Sequence, residues 1–324
     1  ADHPNIGLIV DSFHTLAREL DPNSIRSIPS DKIFFVQLAD APAIDMDLFH
    51  WSRHYRCMPG EGDLDVTRFM SAVAASGIEF IEFAADEKEA EDLGAQLTAL
   101  GFQKAGRHIA KDVMLWRQGD INIVINTERE GFAHSSYLVH GTTVCDIGLK
   151  VEDAAATVER ARQLGATLFE QPVGPGELKI PAIRGVGGGI MHFLDSHSEL
   201  ARVWEIEFKP EDDQAPDLTV GLTGIDHLAQ TMNYEEMLTW LLFYTSIFDT
   251  HKTPMVDVVD PAGLVRSQAI ENPEGSLRIT LNGAENSKTL AGHFITESFG
   301  SAVQHVAFRT DDIFATAELL KKTG

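Results

Sequence analysis

The sequence predicts two architectures in one chain: an α/β segment with a parallel sheet over residues 1–77, then an α+β region of repeated βαβββ modules. Three observations carry this. Short continuous apolar runs alternate with helical segments near the start. From Ile78 the rhythm changes to strands of alternating polarity, and similar opening strands return at intervals of roughly 65 to 80 residues, the spacing of a duplicated supersecondary unit.

In the first segment, residues 6–11 read as a strand ending in Asp11, 14–20 as the start of a helix, 32–38 as the next strand and 66–75 as a helix. Continuous apolar strands followed by helices imply a sheet covered on both faces. In such sheets polar residues at the carboxyl ends of strands build the site. Asp11 and Gln37 hold those places.

The first module opens at Ile78-Glu-Phe-Ile-Glu-Phe-Ala-Ala85 and continues through a helix ending near Phe102 into strands over 113–116 and 121–126. The second opens at Val144-Cys-Asp-Ile-Gly-Leu-Lys150 and closes with strands near Ile180 and at Met191-His-Phe193. A third begins at Ile225-Asp-His-Leu-Ala229, with a helix ending at Phe248 and strands over 264–269 and 277–281. The fourth starts at Val303-Gln-His-Val-Ala-Phe308 and reaches its helix. Residues 78–210 thus hold one pair of modules and 221–324 a second, with the acidic stretch 211–220, which includes Pro216, as linker. The helix over 66–75 meets the strand at Ile78 without a connection, so residues are expected to be missing there, and both ends of the chain read as cut.

The formal charge is −23, from 49 acidic and 26 basic residues, with no basic run to neutralise phosphates. That excludes nucleic acid as a partner and argues against an anionic membrane surface. No stretch approaches the roughly 20 apolar residues of a membrane span. Cys57 and Cys145 form no ligand spacing and read as reduced thiols of a cytoplasmic protein. A small-molecule carboxylate is the expected partner, with self-association left open.

Two constellations carry chemistry. Asp11-Ser-Phe-His14 puts a carboxylate at a strand end and an imidazole three residues later, and Gln37 adds a neutral oxygen. This set suits a hard ion such as Mg²⁺ or Mn²⁺; Asp11 as a plain helix cap is the equal alternative. Trp51-Ser-Arg-His-Tyr-Arg56 crowds basic groups before a Gly-rich turn, either an anion pocket or a solvated loop. In the second constellation, His227 and His305 hold corresponding places in the third and fourth opening strands. Joined by a carboxylate they would make the 2-His-1-carboxylate set of non-heme Fe(II) oxygenases. The matching places in the first pair are read as Ile81 or its neighbours and Gly148, which bind no metal, so the histidines are more than packing residues.

The runs Gly7-Leu-Ile-Val-Asp-Ser-Phe-His14, Asp31-Lys-Ile-Phe-Phe-Val-Gln-Leu-Ala-Asp-Ala-Pro42, Trp51-Ser-Arg-His-Tyr-Arg56 and Pro59-Gly-Glu-Gly62 resemble the bacterial 3-dehydroshikimate dehydratases. In that family a sugar-phosphate-isomerase-like (β/α)₈ barrel is, in a subgroup, fused to a 4-hydroxyphenylpyruvate-dioxygenase-like domain. The resemblance implies the C-terminal part of the barrel here, with Asp11 and Gln37 as ligands of Mg, Mn or Co. It also implies His14 as catalytic acid/base and Ser52 and Arg56 as holders of the substrate carboxylate. Two further glutamate ligands have no counterpart, because Glu79 and Glu82 match the opening strand of the repeat. With about three of eight barrel units, these residues alone should not be competent.

Gly263-Leu-Val-Arg-Ser-Gln268, Leu277-Arg-Ile-Thr-Leu-Asn282 and the stretch around His305 resemble the C-terminal half of 4-hydroxyphenylpyruvate dioxygenase, a vicinal-oxygen-chelate fold. That implies Fe(II) or another divalent metal at His227 and His305, a third glutamate ligand beyond Gly324, and Ser267 and Asn282 facing the substrate pocket. The function implied is dehydration of 3-dehydroshikimate to protocatechuate in quinate/shikimate degradation. A 4-hydroxyphenylpyruvate-type oxygenase and a non-catalytic small-molecule binding module are the alternatives.

Overall fold

A computed structural model describes residues 8–20, 33–37, 39–58, 61–64, 75–211 and 220–323. Contacts divide the chain into two compact units, Ala1–Ala72 and Val73–Gly324.

In the first unit, β1 (Leu8–Asp11) runs directly into α1 (Ser12–Leu16), and β2 (Ile33–Gln37) pairs parallel to β1 with Asp11 opposite Gln37. The helix expected over 14–20 starts earlier, because Asp11 caps it, and ends earlier, because Glu19 turns left-handed at φ 54°. Buried Ser12 holds the loop after β2: its hydroxyl donates to the Ala39 carbonyl at 2.7 Å and accepts from the Ala39 amide at 2.8 Å. The buried Asp40 carboxylate accepts from the amides of Ala41, Gly62 and Leu64, which draws residues 61–64 onto the same loop. α2 (Leu48–His54), capped by Asp47, packs Trp51 edge-on to Phe13 with ring centroids 5.3 Å apart. The expected helix over 66–75 lies outside the described residues up to residue 74; Ala75 already belongs to a strand.

The second unit is two sheets. β3 (Ala75–Ala84), α3 (Glu87–Ala99), β4 (Gln103–His108), β5 (Val113–Gln118) and β6 (Ile121–Asn126) make one βαβββ module. After α4 (Gly131–His140), the next module is β7 (Thr143–Val151), α5 (Ala154–Gln163), β8 (Leu168–Phe169), β9 (Ala182–Arg184) and β10 (Ile190–Leu194). The strand expected near Ile180 is therefore Ala182–Arg184. α6 (Val203–Ile206) and β11 (Phe208–Pro210) complete a nine-stranded sheet of order β11-β4-β5-β6-β3-β7-β10-β9-β8.

The expected linker over 211–220 falls almost wholly outside the described residues. Beyond it come β12 (Leu222–Asn233), α7 (Tyr234–Ile247), β13 (His251–Lys252), β14 (Val256–Asp260), β15 (Gly263–Glu271) and β16 (Arg278–Ala284). α8 (Leu290–Glu297), β17 (Ala302–Thr310) and α9 (Ile313–Thr323) follow. The second sheet runs β13-β15-β16-β12-β17, with β14 on β15.

Each sheet turns on one antiparallel pair of opening strands, and the two pairs share their irregularities. In β3–β7, Ile78 faces Leu149, Phe80 faces Gly148 and Glu82 faces Asp146. In β12–β17, Ile225 faces Phe308, His227 faces Ala307 and Ala229 faces His305. The structural counterpart of His227 is thus Phe80, and that of His305 is Asp146, not Gly148. The bulges fall at matching places in the two pairs, so Val144-Cys-Asp146 aligns directly with Val303-Gln-His305. Gly148 answers a different need: a Cβ there would come within 2.2 Å of the Phe80 ring.

One hydrophobic cluster spans both module pairs, from Ile81, Leu149 and Met191 to Leu228, Met232 and Leu281. Arg160 on α5 donates to the Ser246 and Ile247 carbonyls at the C-terminus of α7, where orphan carbonyls favour a cation. At Gly187, φ is 64° and a Cβ would lie 1.8 Å from the Ser301 carbonyl oxygen just ahead of β17. Gly187→Ala therefore meets backbone as well as strain, and is expected to cost about 2–3 kcal/mol. Thermal unfolding followed by circular dichroism checks this; an unchanged midpoint contradicts the close packing of the two pairs.

Candidate functional site

Asp11 ends β1 and is read twice. One oxygen caps α1, accepting from the His14 amide at 3.2 Å, and the other receives Arg56 Nη2 at 2.9 Å. Arg56 also donates to Ser52 Oγ at 3.1 Å, and its guanidinium lies 4.9 Å over the Phe13 ring. Its Nε–H is buried without an acceptor among the described residues. His14 and Gln37 are exposed at the mouth of this cluster. The structure thus joins Asp11, Ser52 and Arg56 and sets Gln37 beside Asp11. A cationic guanidinium on the carboxylate leaves poor ground for a metal, and the described residues hold no group of three His, Cys, Asp or Glu side chains that could bind one. What they offer is an unsatisfied Arg donor suited to a carboxylate.

In the second unit, His227 and His305 stand diagonally across the β12–β17 ladder with ring centroids 5.5 Å apart. His227 Nδ1 meets Asp226 Oδ2 at 2.7 Å, and Arg278 Nη1 reaches the same oxygen at 3.2 Å. The hydrogen bond with His227, then the Arg278 charge, hold the Asp226 carboxyl below its usual range against the opposing effect of burial. An imidazole fixed at Nδ1 by a carboxylate presents Nε2, the arrangement common behind metal ligands. Burial, with the charge of His227 beside it, lowers the His305 pKa. The two rings fit a nitrogen-seeking divalent ion as two donors; no third joins them among the described residues. Ser267 faces Asn282 on β15–β16, and Asn282 faces Thr231 on β12. That row lies on the same sheet four residues along β12 from His227, at roughly 3.3 Å per residue.

Sequence reasoning missed a third cluster. A cavity of about 340 Å³ lies in the first module pair, lined by Glu82, Asp146, His192, His108, Glu207 and Lys111 among others. His192 Nδ1 meets Asp146 Oδ2 at 2.5 Å, while buried Asp146 Oδ1 has no partner among the described residues. Backbone amides of Ala110 and Lys111 donate to His108 Nδ1, which leaves Nε2–H to meet Glu207 at 3.3 Å. Burial, then the Asp146 charge, push Glu82 up to about 7, although Asn126 donates to it at 2.9 Å. Its remaining accessible surface is turned to the cavity. The available signal was a carboxylate or histidine set between apolar neighbours in each of three strands, Glu82, Asp146 and His192.

Residues 69–209 match the family model for the N-terminal part of hydroxyphenylpyruvate dioxygenase, and residues 1–97 that for the xylose isomerase-like TIM barrel. A 4-hydroxyphenylpyruvate dioxygenase of Pseudomonas aeruginosa is 33% identical over 78% of this chain and 71% of its own length. The chain belongs to the 4-hydroxyphenylpyruvate dioxygenase family. The 3-dehydroshikimate dehydratase of Pseudomonas putida is 36% identical across 100% of the chain, which spans 61% of that relative's length. That alignment covers 388 positions, so the relative holds segments without counterpart in these 324 residues. A solved xylose isomerase-like TIM barrel/4-hydroxyphenylpyruvate dioxygenase fusion protein superposes with a TM-score of 0.67 at 35% identity, over 100% of this chain and 61% of that one. The fold is accordingly a TIM-barrel-like segment followed by a vicinal-oxygen-chelate domain of this family, a type that suggests a divalent metal. No helix among the described residues is long and apolar enough to cross a membrane.

Glu82 gives a pH signature. With its carboxyl raised from 4.5 to about 7, the folded protein keeps a proton that the unfolded chain has released between those values, so stability falls as pH rises through that window. Glu82→Gln removes the effect. Relative to the parent, it should gain on the order of 2 kcal/mol between pH 4.5 and 7.5. Denaturant unfolding at the two pH values measures the difference; a pH-independent offset contradicts the raised carboxyl.

Proposed function

We propose that the protein dehydrates 3-dehydroshikimate to protocatechuate, with the Asp11, His14, Ser52 and Arg56 cluster as its contribution to the site. The observation that carries this reading is Arg56: a guanidinium pinned by Asp11 and Ser52 whose buried Nε–H has no acceptor among the described residues, in a chain matching named 3-dehydroshikimate dehydratases from end to end. Arg56 and Ser52 hold the substrate carboxylate. His14, exposed beside them, removes the acidic proton next to the ketone and returns it to the departing β-hydroxyl, which leaves as water. Enolisation of the remaining ring then gives the aromatic product. Free cysteines are in keeping with a reducing, cytoplasmic setting.

Incubation with 3-dehydroshikimate and Mg²⁺, Mn²⁺ or Co²⁺ should release protocatechuate, followed by its ultraviolet absorbance. His14→Ala should lower kcat by about 10²-fold or more. No product under any of these metals, or a His14→Ala rate equal to the parent's, sinks the proposal.

A second reading rests on the histidine pair. In the 4-hydroxyphenylpyruvate dioxygenase-like domain, His227 and His305 would hold Fe(II) or another divalent ion, with Ser267 and Asn282 toward the substrate. When bound, such an ion supplies oxygen chemistry; the chain's own part is to present two imidazoles, one aligned by Asp226 and Arg278. Asp226→Asn should weaken Co²⁺ binding about 10- to 100-fold, read by titration calorimetry. His305→Ala should abolish it, and equal affinity in both variants removes the pair from the metal site.

A further inference from the structure

The cavity of the first module pair has no part in either reading, yet it is built like a binding site. Its walls carry seven carboxylate residues against two lysines, and both lysines are already spoken for: Lys111 by Glu177 at 3.0 Å, Lys179 by Glu170 at 3.1 Å. His192 is spent on one oxygen of Asp146, a cavity-lining carboxylate only 4% exposed, whose buried Oδ1 has no donor among the described residues. A buried anionic acceptor left unmatched costs on the order of 1–3 kcal/mol, more where it is charged. Glu82 faces Asp146 directly across the β3–β7 ladder, and burial, then the Asp146 charge, raise its carboxyl to about 7.

The rings fit the same picture. Phe80 and Phe169 both flank His192, with centroids 6.3 and 6.4 Å away, and Trp204 stands edge-on to Phe80 at 5.7 Å. Aromatic faces beside excess carboxylate favour a cation and reject an anion. A bare metal ion is a poorer occupant, because His192 Nδ1 is turned to Asp146 and no group of three metal-binding side chains exists among the described residues. A volume near 340 Å³ is room for one ring and a short chain.

We propose that this cavity binds a small organic cation, a protonated primary amine carried on an aromatic ring, whose ammonium donates to Asp146 Oδ1 while the ring lies among Phe80, Phe169 and Trp204. The amine supplies the donor that Asp146 lacks and offsets its charge, and Glu82 opposite can accept from the same ammonium. The cavity shares no lining residue with the histidine pair, and the proposal requires neither other site to be active.

Titration calorimetry with 2-phenylethylamine, 2-phenylethanol and phenylacetate, three probes of one shape and different charge, tests the assignment. Saturable binding of the amine is expected, with the alcohol at least tenfold weaker and the carboxylate without measurable heat. Asp146→Asn should weaken the amine at least tenfold, and His305→Ala should leave it unchanged. Phenylacetate binding as tightly as the amine overturns the proposal, as does no saturable heat from the amine, or an Asp146→Asn variant that folds and binds like the parent. Mn²⁺ binding that Asp146→Asn abolishes, with no competition from the amine, overturns it in favour of a metal. Should Asp146→Asn fail to fold, Glu82→Gln carries the same test, with weakened amine binding expected and parental affinity contradicting it.

Discussion

The antiparallel pairing of two opening strands, repeated as β3–β7 and β12–β17, is the constraint on which the larger unit depends. The β3–β7 pair is central in its sheet and the β12–β17 pair has β17 at the edge, and in both the register fixes which side chains point to which face. In β12 the residues Leu228 and Met232 are fully buried in the common core, while His227 and Ala229 take the other face. Shared bulges preserve this division in both pairs. A bulge adds one residue and turns the strand, and without it every side chain beyond that point would change face.

The same seam carries opposite chemistry in its two copies. At the position of His305, the first pair has Asp146; at the position of His227 it has Phe80. Where one pair sets two imidazoles against each other, the other sets a carboxylate against a ring. Burial then acts differently on each. Around His227 a carboxylate and an arginine stand behind the ring and orient it. Around Asp146 two acids are brought face to face, and one of them answers by holding its proton.

Much of this was legible in the sequence. Alternating polarity located the opening strands, and the two histidines announced themselves by recurring at matched places. The Asp146 cluster was not legible, because its members come from β3, β7 and β10 and are joined only by pairing. The equivalence of His305 with Asp146 stands in the sequence itself, where Val144-Cys-Asp146 aligns with Val303-Gln-His305; matching Gly148 instead misplaces the register by two residues. In the first unit, sequence reasoning gave Arg56 to the substrate and Asp11 to a metal without seeing that the two would hold each other. Two residues 45 positions apart cannot be paired on spacing alone.

That contact also changes how the first unit can work. A guanidinium has five N–H donors in a fixed plane. Arg56 places Nη2 on both Asp11 and Ser52, and keeps Nε buried over the Phe13 ring. An arginine held in this way has already lost most of its rotamer freedom, so a carboxylate ligand gains a donor without the entropy of ordering a long side chain. On the proposed reading Asp11 would serve the anion indirectly, by fixing the guanidinium that receives it. The N-cap bond to the His14 amide ties the same carboxylate to the helix that carries the imidazole, so the position of Arg56 and the position of His14 rest on one side chain.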